Sequence, residues 1–95
     1  MQFIIHCTDK PDSLPLRLDT RPAHVDFLNA HRDNLYIAGP TFEDDGESPN
    51  GSLLIVDFPD RAAVETFAAA DPYVQVDLFE SVVIKPWKMT FEPQS

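Results

Sequence analysis

This 95-residue chain is poor in cysteine, glycine and basic residues. One thiol, Cys7, cannot form an internal disulfide, so the fold must stand on its core, and the cysteine usage fits a reducing compartment. Three glycines leave no Gly-rich loop to cradle a phosphate, and nothing points to a nucleotide, flavin or haem. No cofactor is expected. No apolar run approaches the ~20 residues of a membrane span. Met1–Cys7 has neither a basic n-region nor a small-residue cleavage site, so the expectation is a cytoplasmic protein without a signal peptide. Seven basic residues against sixteen acidic ones give a net charge of −9. That balance argues against nucleic acid and anionic membrane surfaces as partners. An anionic ligand would need local help from Lys10, Arg17 or Arg21.

What is present suits a globular fold. The apolar fraction is 43%, with seven Phe, two Tyr and one Trp. A chain of this length makes one domain, here residues 1–95, and buries roughly 60–65% of its unfolded surface.

Gln2–Thr8 reads as a central strand, with Phe3, Ile5 and Cys7 on one face and Ile4, His6 and Thr8 on the other. Residues 9–13 form a loop. Leu14–Asp19 is ambiguous between a turn and a short helix. The main helix is expected from about Arg21 to Arg32, with Thr20 as its N-cap and Pro22 in its first turn. Leu35–Ala38 is a second strand, stopped at Gly39-Pro40. Residues 41–50 form a long acidic hairpin loop, and Gly51–Phe58 is the third strand. Asp60 caps a second helix that ends at Ala70. Asp71-Pro72-Tyr73 breaks that helix, residues 74–78 connect or form another short turn, and Phe79–Thr90 is the last strand. Pro86 places it at an edge or a bulge. A tail follows from Glu92.

The order βαββαβ is most economically a ferredoxin-like α+β fold: a four-stranded antiparallel sheet with both helices on one face. The other face would be left bare and apolar. A homodimer closing over it is expected.

His24, Phe27, Leu28 and His31 share one face of the main helix. A histidine on a packing face is either a satisfied core residue or the centre of a site. The topology brings the start of the first helix and the end of the second to one end of the fold. His24 and Asp71 would meet there, and the carboxylate would fix the imidazole tautomer and raise its basicity. Asp71, before Pro72, would equally suit an Asx-type turn.

Several segments together resemble the YCII (YciI-like) family of the dimeric α+β barrel superfamily. They are Cys7-Thr8-Asp9-Lys10-Pro11, Arg21-Pro22-Ala23-His24, Ala38-Gly39-Pro40, Gly51-Ser52-Leu53-Leu54-Ile55-Val56, Asp71-Pro72-Tyr73 and Trp87 at the end of the last strand. The resemblance covers nearly the whole chain. It implies a dimerising ferredoxin-like domain with an active site on His24 and Asp71, and activities of the lyase, isomerase or dehalogenase kind on small molecules.

The remaining candidates have narrower roles. Arg17 and Arg21 would hold a substrate carboxylate or pair with Asp19 or Asp26. Ser52, opening a strand at the site end, would donate a hydrogen bond to a ligand, and no elbow motif makes it a nucleophile. Tyr73 would cap the pocket, donate a proton or simply pack. Cys7 reads as a buried inert thiol, and His31 as a helix-end residue near Asp33. No metal is expected, because His6, His24 and His31 lack ligand spacing. The 43–47 acidic run lacks a calcium-loop pattern and reads as a solvated hairpin tip. Three functions stay open: a small acid–base enzyme on an anionic or aromatic molecule, a non-catalytic ligand-sensing module, and a structural dimer partner.

Overall fold

The computed structural model describes residues 1–94. The elements are β1 (Gln2–Asp9), α1 (Leu14–Ala30), β2 (Leu35–Phe42), β3 (Pro49–Asp57), α2 (Arg61–Ala69), α3 (Pro72–Gln75) and β4 (Phe79–Trp87). They form one antiparallel sheet in the order β2-β3-β1-β4, the ferredoxin-like arrangement.

The central strands β1 and β3 carry the core. Phe3, Ile5 and Cys7 alternate inward on β1, and Leu54 and Val56 do the same on β3. Val64 and Phe67 of α2, Tyr73 of α3, and Leu78 and Phe79 close over them. From α1, Leu16, Phe27 and Leu28 pack against this cluster at partial burial. The register puts Ile4 opposite Ile55 and Lys85, and His6 opposite Leu53 and Val83, on the other sheet face. No helix covers that face. Ile37 is 53% exposed and Val83 44% exposed.

The structure corrects four expectations. The first helix begins at Leu14, with Ser13 preceding it, so Thr20 is not its cap. Residues 14–19 are its first turns, opened by Pro15 in the position where a missing N–H costs least. Pro22 therefore lies inside the helix. It is tolerated because it is on the solvent side, where Leu18 is 54% exposed and a carbonyl left without its partner can meet water. Consequently His24 sits past the middle of α1, not at its start. Second, β2 does not stop at Gly39-Pro40 but runs to Phe42, with Pro40 opposite Ser52. An edge strand accepts a proline because one row of its N–H groups has no neighbour. Third, the hairpin loop shrinks to residues 43–48. Asp45 Oδ1 accepts from the amides of Glu47 and Ser48 at 2.8 and 2.9 Å, and Gly46 supplies the left-handed φ of 70°. Fourth, β4 ends at Trp87, not Thr90, and the short turn allowed for in the connector is the helix α3, which starts earlier, at Pro72.

Asp60 caps α2 as expected, its carboxylate accepting from the Ala63 amide at 2.9 Å. Pro86 lies on the edge strand β4. His31 closes α1, its Nδ1 at 2.9 Å from the Phe27 carbonyl. The tail has no regular structure over residues 92–94, and Ser95 lies outside the described residues. No helix among the described residues is long and apolar enough to cross a membrane.

Candidate active site

The only buried residues of α1 are Arg17 and His24. They are seven positions, or two turns, apart and share the face turned to the sheet. An amphipathic helix ordinarily buries its apolar stripe. This one presents polar groups at the sheet, and each meets a carboxylate.

His24 Nδ1 lies 2.9 Å from Asp71 Oδ1, with side-chain exposures of 11% and 7%. A carboxylate only accepts, so Nδ1 carries the hydrogen and donates it. In the neutral ring that tautomer leaves a lone pair on Nε2. Among the described residues no buried side-chain nitrogen or oxygen lacks a partner, and Nε2 has no protein partner, so this nitrogen is open to solvent. Asp71 also precedes α3, and the same Oδ1 accepts from the Tyr73 amide at 3.0 Å. The turn-capping role and the pairing with His24 are thus performed by one oxygen.

Arg17 is held differently. Its Nε donates to Asp9 Oδ2 at 2.6 Å and its Nη2 to Asp9 Oδ1 at 3.0 Å, a two-pronged pair with side chains 5% and 6% exposed. Nη2 also donates to Ser52 Oγ at 2.9 Å. Burial pulls the guanidinium pKa down, but the hydrogen bonds and charge of Asp9 outweigh it and the net shift is upward. The expected partners Asp19 and Asp26 are not used, because both are exposed on the solvent side of α1. Asp9 answers the charge of this guanidinium, and only its Nη1 hydrogens are left without a protein partner.

Tyr73, 1% exposed, joins the two pairs. Its ring stacks on His24 with centroids 4.1 Å apart, and the Arg17 guanidinium carbon lies 4.6 Å from its centroid. Burial pushes the phenol pKa up from its ordinary value; Arg17 opposes this and Asp71 adds to it. Cys7 lies beneath, 3% exposed, its thiol pushed up to about 12 by burial first and by Asp71 second, so it stays protonated and inert.

These groups line a cavity of about 210 Å³. Its polar walls are Arg17, Arg21, His24, Ser52 and Tyr73, and its apolar walls come from Val25, Leu28, Ala38, Gly39, Pro40 and Leu54. Arg21 is exposed and, among the described residues, has no ion pair. All six candidate residues read from the sequence therefore reach one place. Sequence reasoning missed Asp9. The available signal was its position at the end of β1, but its partner lies eight residues on, on a different element, where neither helical nor strand spacing applies.

Ser52 owes its place to Gly51. A Cβ at position 51 would lie 2.3 Å from the Cys7 carbonyl oxygen and 2.6 Å from Thr41 Oγ1. Only glycine lets β3 approach both neighbours there.

A model of the YCII-related domain matches residues 1–88. The chain is 39% identical over 98 residues to protein YciI of Escherichia coli, covering 96% of this chain and all of that protein. An uncharacterised protein of Haemophilus influenzae is 34% identical over the same shares. Among solved structures, 5-chloro-2-hydroxyhydroquinone dehydrochlorinase from Burkholderia phenoliruptrix, in complex with 2,5-dihydroxybenzoquinone, is similar with a TM-score of 0.85 at 30% identity, over 93% of this chain and 94% of that one.

Proposed function

This chain belongs to the YCII-related family, and from that we propose that it is a small-molecule enzyme in which His24 moves a proton and Asp71 orients it. The observation that carries this reading is the buried Nδ1–Asp71 hydrogen bond at 2.9 Å beside an Nε2 open to solvent. A base so held has one tautomer and one direction of attack. In the step proposed, Nε2 takes a proton from the substrate. The electron pair left behind expels a leaving group from the neighbouring carbon, or is reprotonated at another carbon. In the first case a halide departs and the imidazolium later gives its proton to water; in the second the imidazolium returns it.

The cavity favours a single substituted ring. Its 210 Å³ is below the ~300–1,000 Å³ of pockets for drug-sized ligands. The similarity to a dehydrochlorinase supports a chlorinated hydroxyhydroquinone as the first substrate to try. The test is chloride release from 5-chloro-2-hydroxyhydroquinone. We expect turnover that falls about 10²–10⁴-fold in His24→Ala, with the thermal melt retained. Turnover unchanged by that substitution would sink the reading, and tight binding without chloride release would favour a sensing module.

We also propose that two copies pair through the uncovered sheet face. Its exposed Ile37 and Val83, together with Ile4, Leu53 and Ile55, support this. Sedimentation velocity should give a dimer, and Leu53→Glu a monomer. A monomeric parent protein would exclude the pairing.

A further inference from the structure

Arg17 has five N–H donors in a fixed fork. Three are committed, two to Asp9 and one to Ser52. Ser52 Oγ is 3% exposed and lines the cavity. Its acceptor side is taken by the guanidinium, so its own hydrogen must point elsewhere, and among the described residues no group accepts it. A hydroxyl that receives a charge-assisted hydrogen bond is a stronger donor in turn. The two hydrogens on Nη1 are likewise without a protein acceptor, and since no buried side-chain nitrogen or oxygen among the described residues lacks a partner, Nη1 is open to solvent.

We infer that Asp9, Arg17 and Ser52 form the oxygen-docking end of the cavity. Ser52 donates its hydroxyl hydrogen to a substrate oxygen, Arg17 aims Ser52, and Asp9 is a positioning residue that fixes Arg17 and cancels its charge. This rests on the reading of the cavity as the substrate site. Arg17 and His24 are two turns apart on α1, about 10 Å along the axis. A ring seated between them would offer an oxygen to Ser52 and its reacting proton to His24. The ligand class is a ring bearing a carbonyl or enolate-type oxygen. With Arg17 neutralised, this end reads an oxygen by hydrogen bonds, and the uncompensated charge near the ligand is Arg21.

The experiment is calorimetric titration with 2,5-dihydroxybenzoquinone. Ser52→Ala should bind it about tenfold more weakly or worse, and Ser52→Thr, which keeps the hydroxyl, should recover affinity to within about threefold. Asp9→Asn should weaken binding in the Ser52 protein and change little in the Ser52→Ala background, because its effect passes through that hydroxyl. No binding by the parent protein, parent-like binding by Ser52→Ala, or additive effects of the two substitutions would each overturn the inference. Additivity is a readout that general damage to the fold would produce and a positioning role would not. His24→Gln separates this inference from the catalytic one. It should lose turnover, while Ser52→Ala made in its background should still weaken probe binding about tenfold. Ser52-dependent binding in a protein that releases no chloride refutes the catalytic reading and leaves the oxygen-docking end standing.

Discussion

Two buried carboxylates face α1, and they do opposite things to their partners. Asp71 takes one hydrogen from His24 and leaves the other ring nitrogen open. Asp9 accepts two from Arg17, which donates a third to Ser52, leaving a cation whose charge is answered. On our proposal the first pair is the one that exchanges a proton. The second is a rigid strut with donors at its tip. The difference comes from the partner, since an imidazole has two nitrogens and can change protonation near neutrality, while a guanidinium stays charged and presents a planar fork. A carboxylate at the end of a strand or helix therefore announces a pair and not its role.

The largest test of that contrast is to break each pair from the α1 side. Arg17→Met leaves the Asp9 carboxylate buried without its cation, at a cost of about 3–5 kcal/mol. For a domain of this size that lowers Tm by roughly 12 °C or more. His24→Gln keeps a donor for Asp71 and loses mainly the stacking on Tyr73, about 1 kcal/mol. Thermal melts followed by circular dichroism should show the gap. Equal shifts would mean that the two pairs are both structural, and the division between strut and base would fall.

A second test acts on one end only. Gly51→Ala sets a methyl 2.3 Å from a backbone oxygen that has no rotamer to escape into. The strand must shift, at about 1–3 kcal/mol, and Ser52 moves with it. His24 and Asp71, on α1 and before α3, are not attached to β3. KM should therefore rise more than kcat falls. A fall in kcat alone would show that the two ends are not separable.

The fold was legible because the strands stood out as apolar runs between turn residues, and the first sorted its two faces by alternation: Phe3, Ile5 and Cys7 inward, Ile4 and His6 outward. The meeting of His24 with Asp71 was legible too, though partly for a wrong reason. Thr20 and Pro22 look like a helix start, and tertiary packing overrode that local signal by extending α1 back to Leu14. His24 reaches Asp71 from past the middle of the helix, because α3, which Asp71 caps, packs against α1. Asp9 was not legible. Its pairing with Arg17 depends on how α1 settles on the sheet, and no spacing in a sequence encodes a rigid-body docking. The same limit applied to β2, where Gly39-Pro40 reads as a stop until the strand is known to lie at an edge.

The smallest expected effect belongs to the residue that touches both pairs. Tyr73→Phe keeps the ring that stacks on His24 and lies by Arg17 and removes only the hydroxyl. If the ring is what couples the two ends, kcat/KM should fall by less than about tenfold, the worth of one neutral hydrogen bond. A much larger loss would make the phenol a proton donor in its own right and blur the line between base and strut. The pH dependence gives an independent check. Burial raises the Tyr73 pKa above its ordinary 10.0, so folding disfavours the phenolate. Its contribution to stability is whole below pH 10 and is lost as pH rises through the folded value. Phe has no proton to lose. The difference in Tm between the parent and Tyr73→Phe should therefore be flat up to about pH 10 and move in favour of the variant above it. A difference that stays flat to higher pH would mean that the phenol ionises as easily in the fold as in water, and that the ring is less enclosed between the two pairs than its 1% exposure implies.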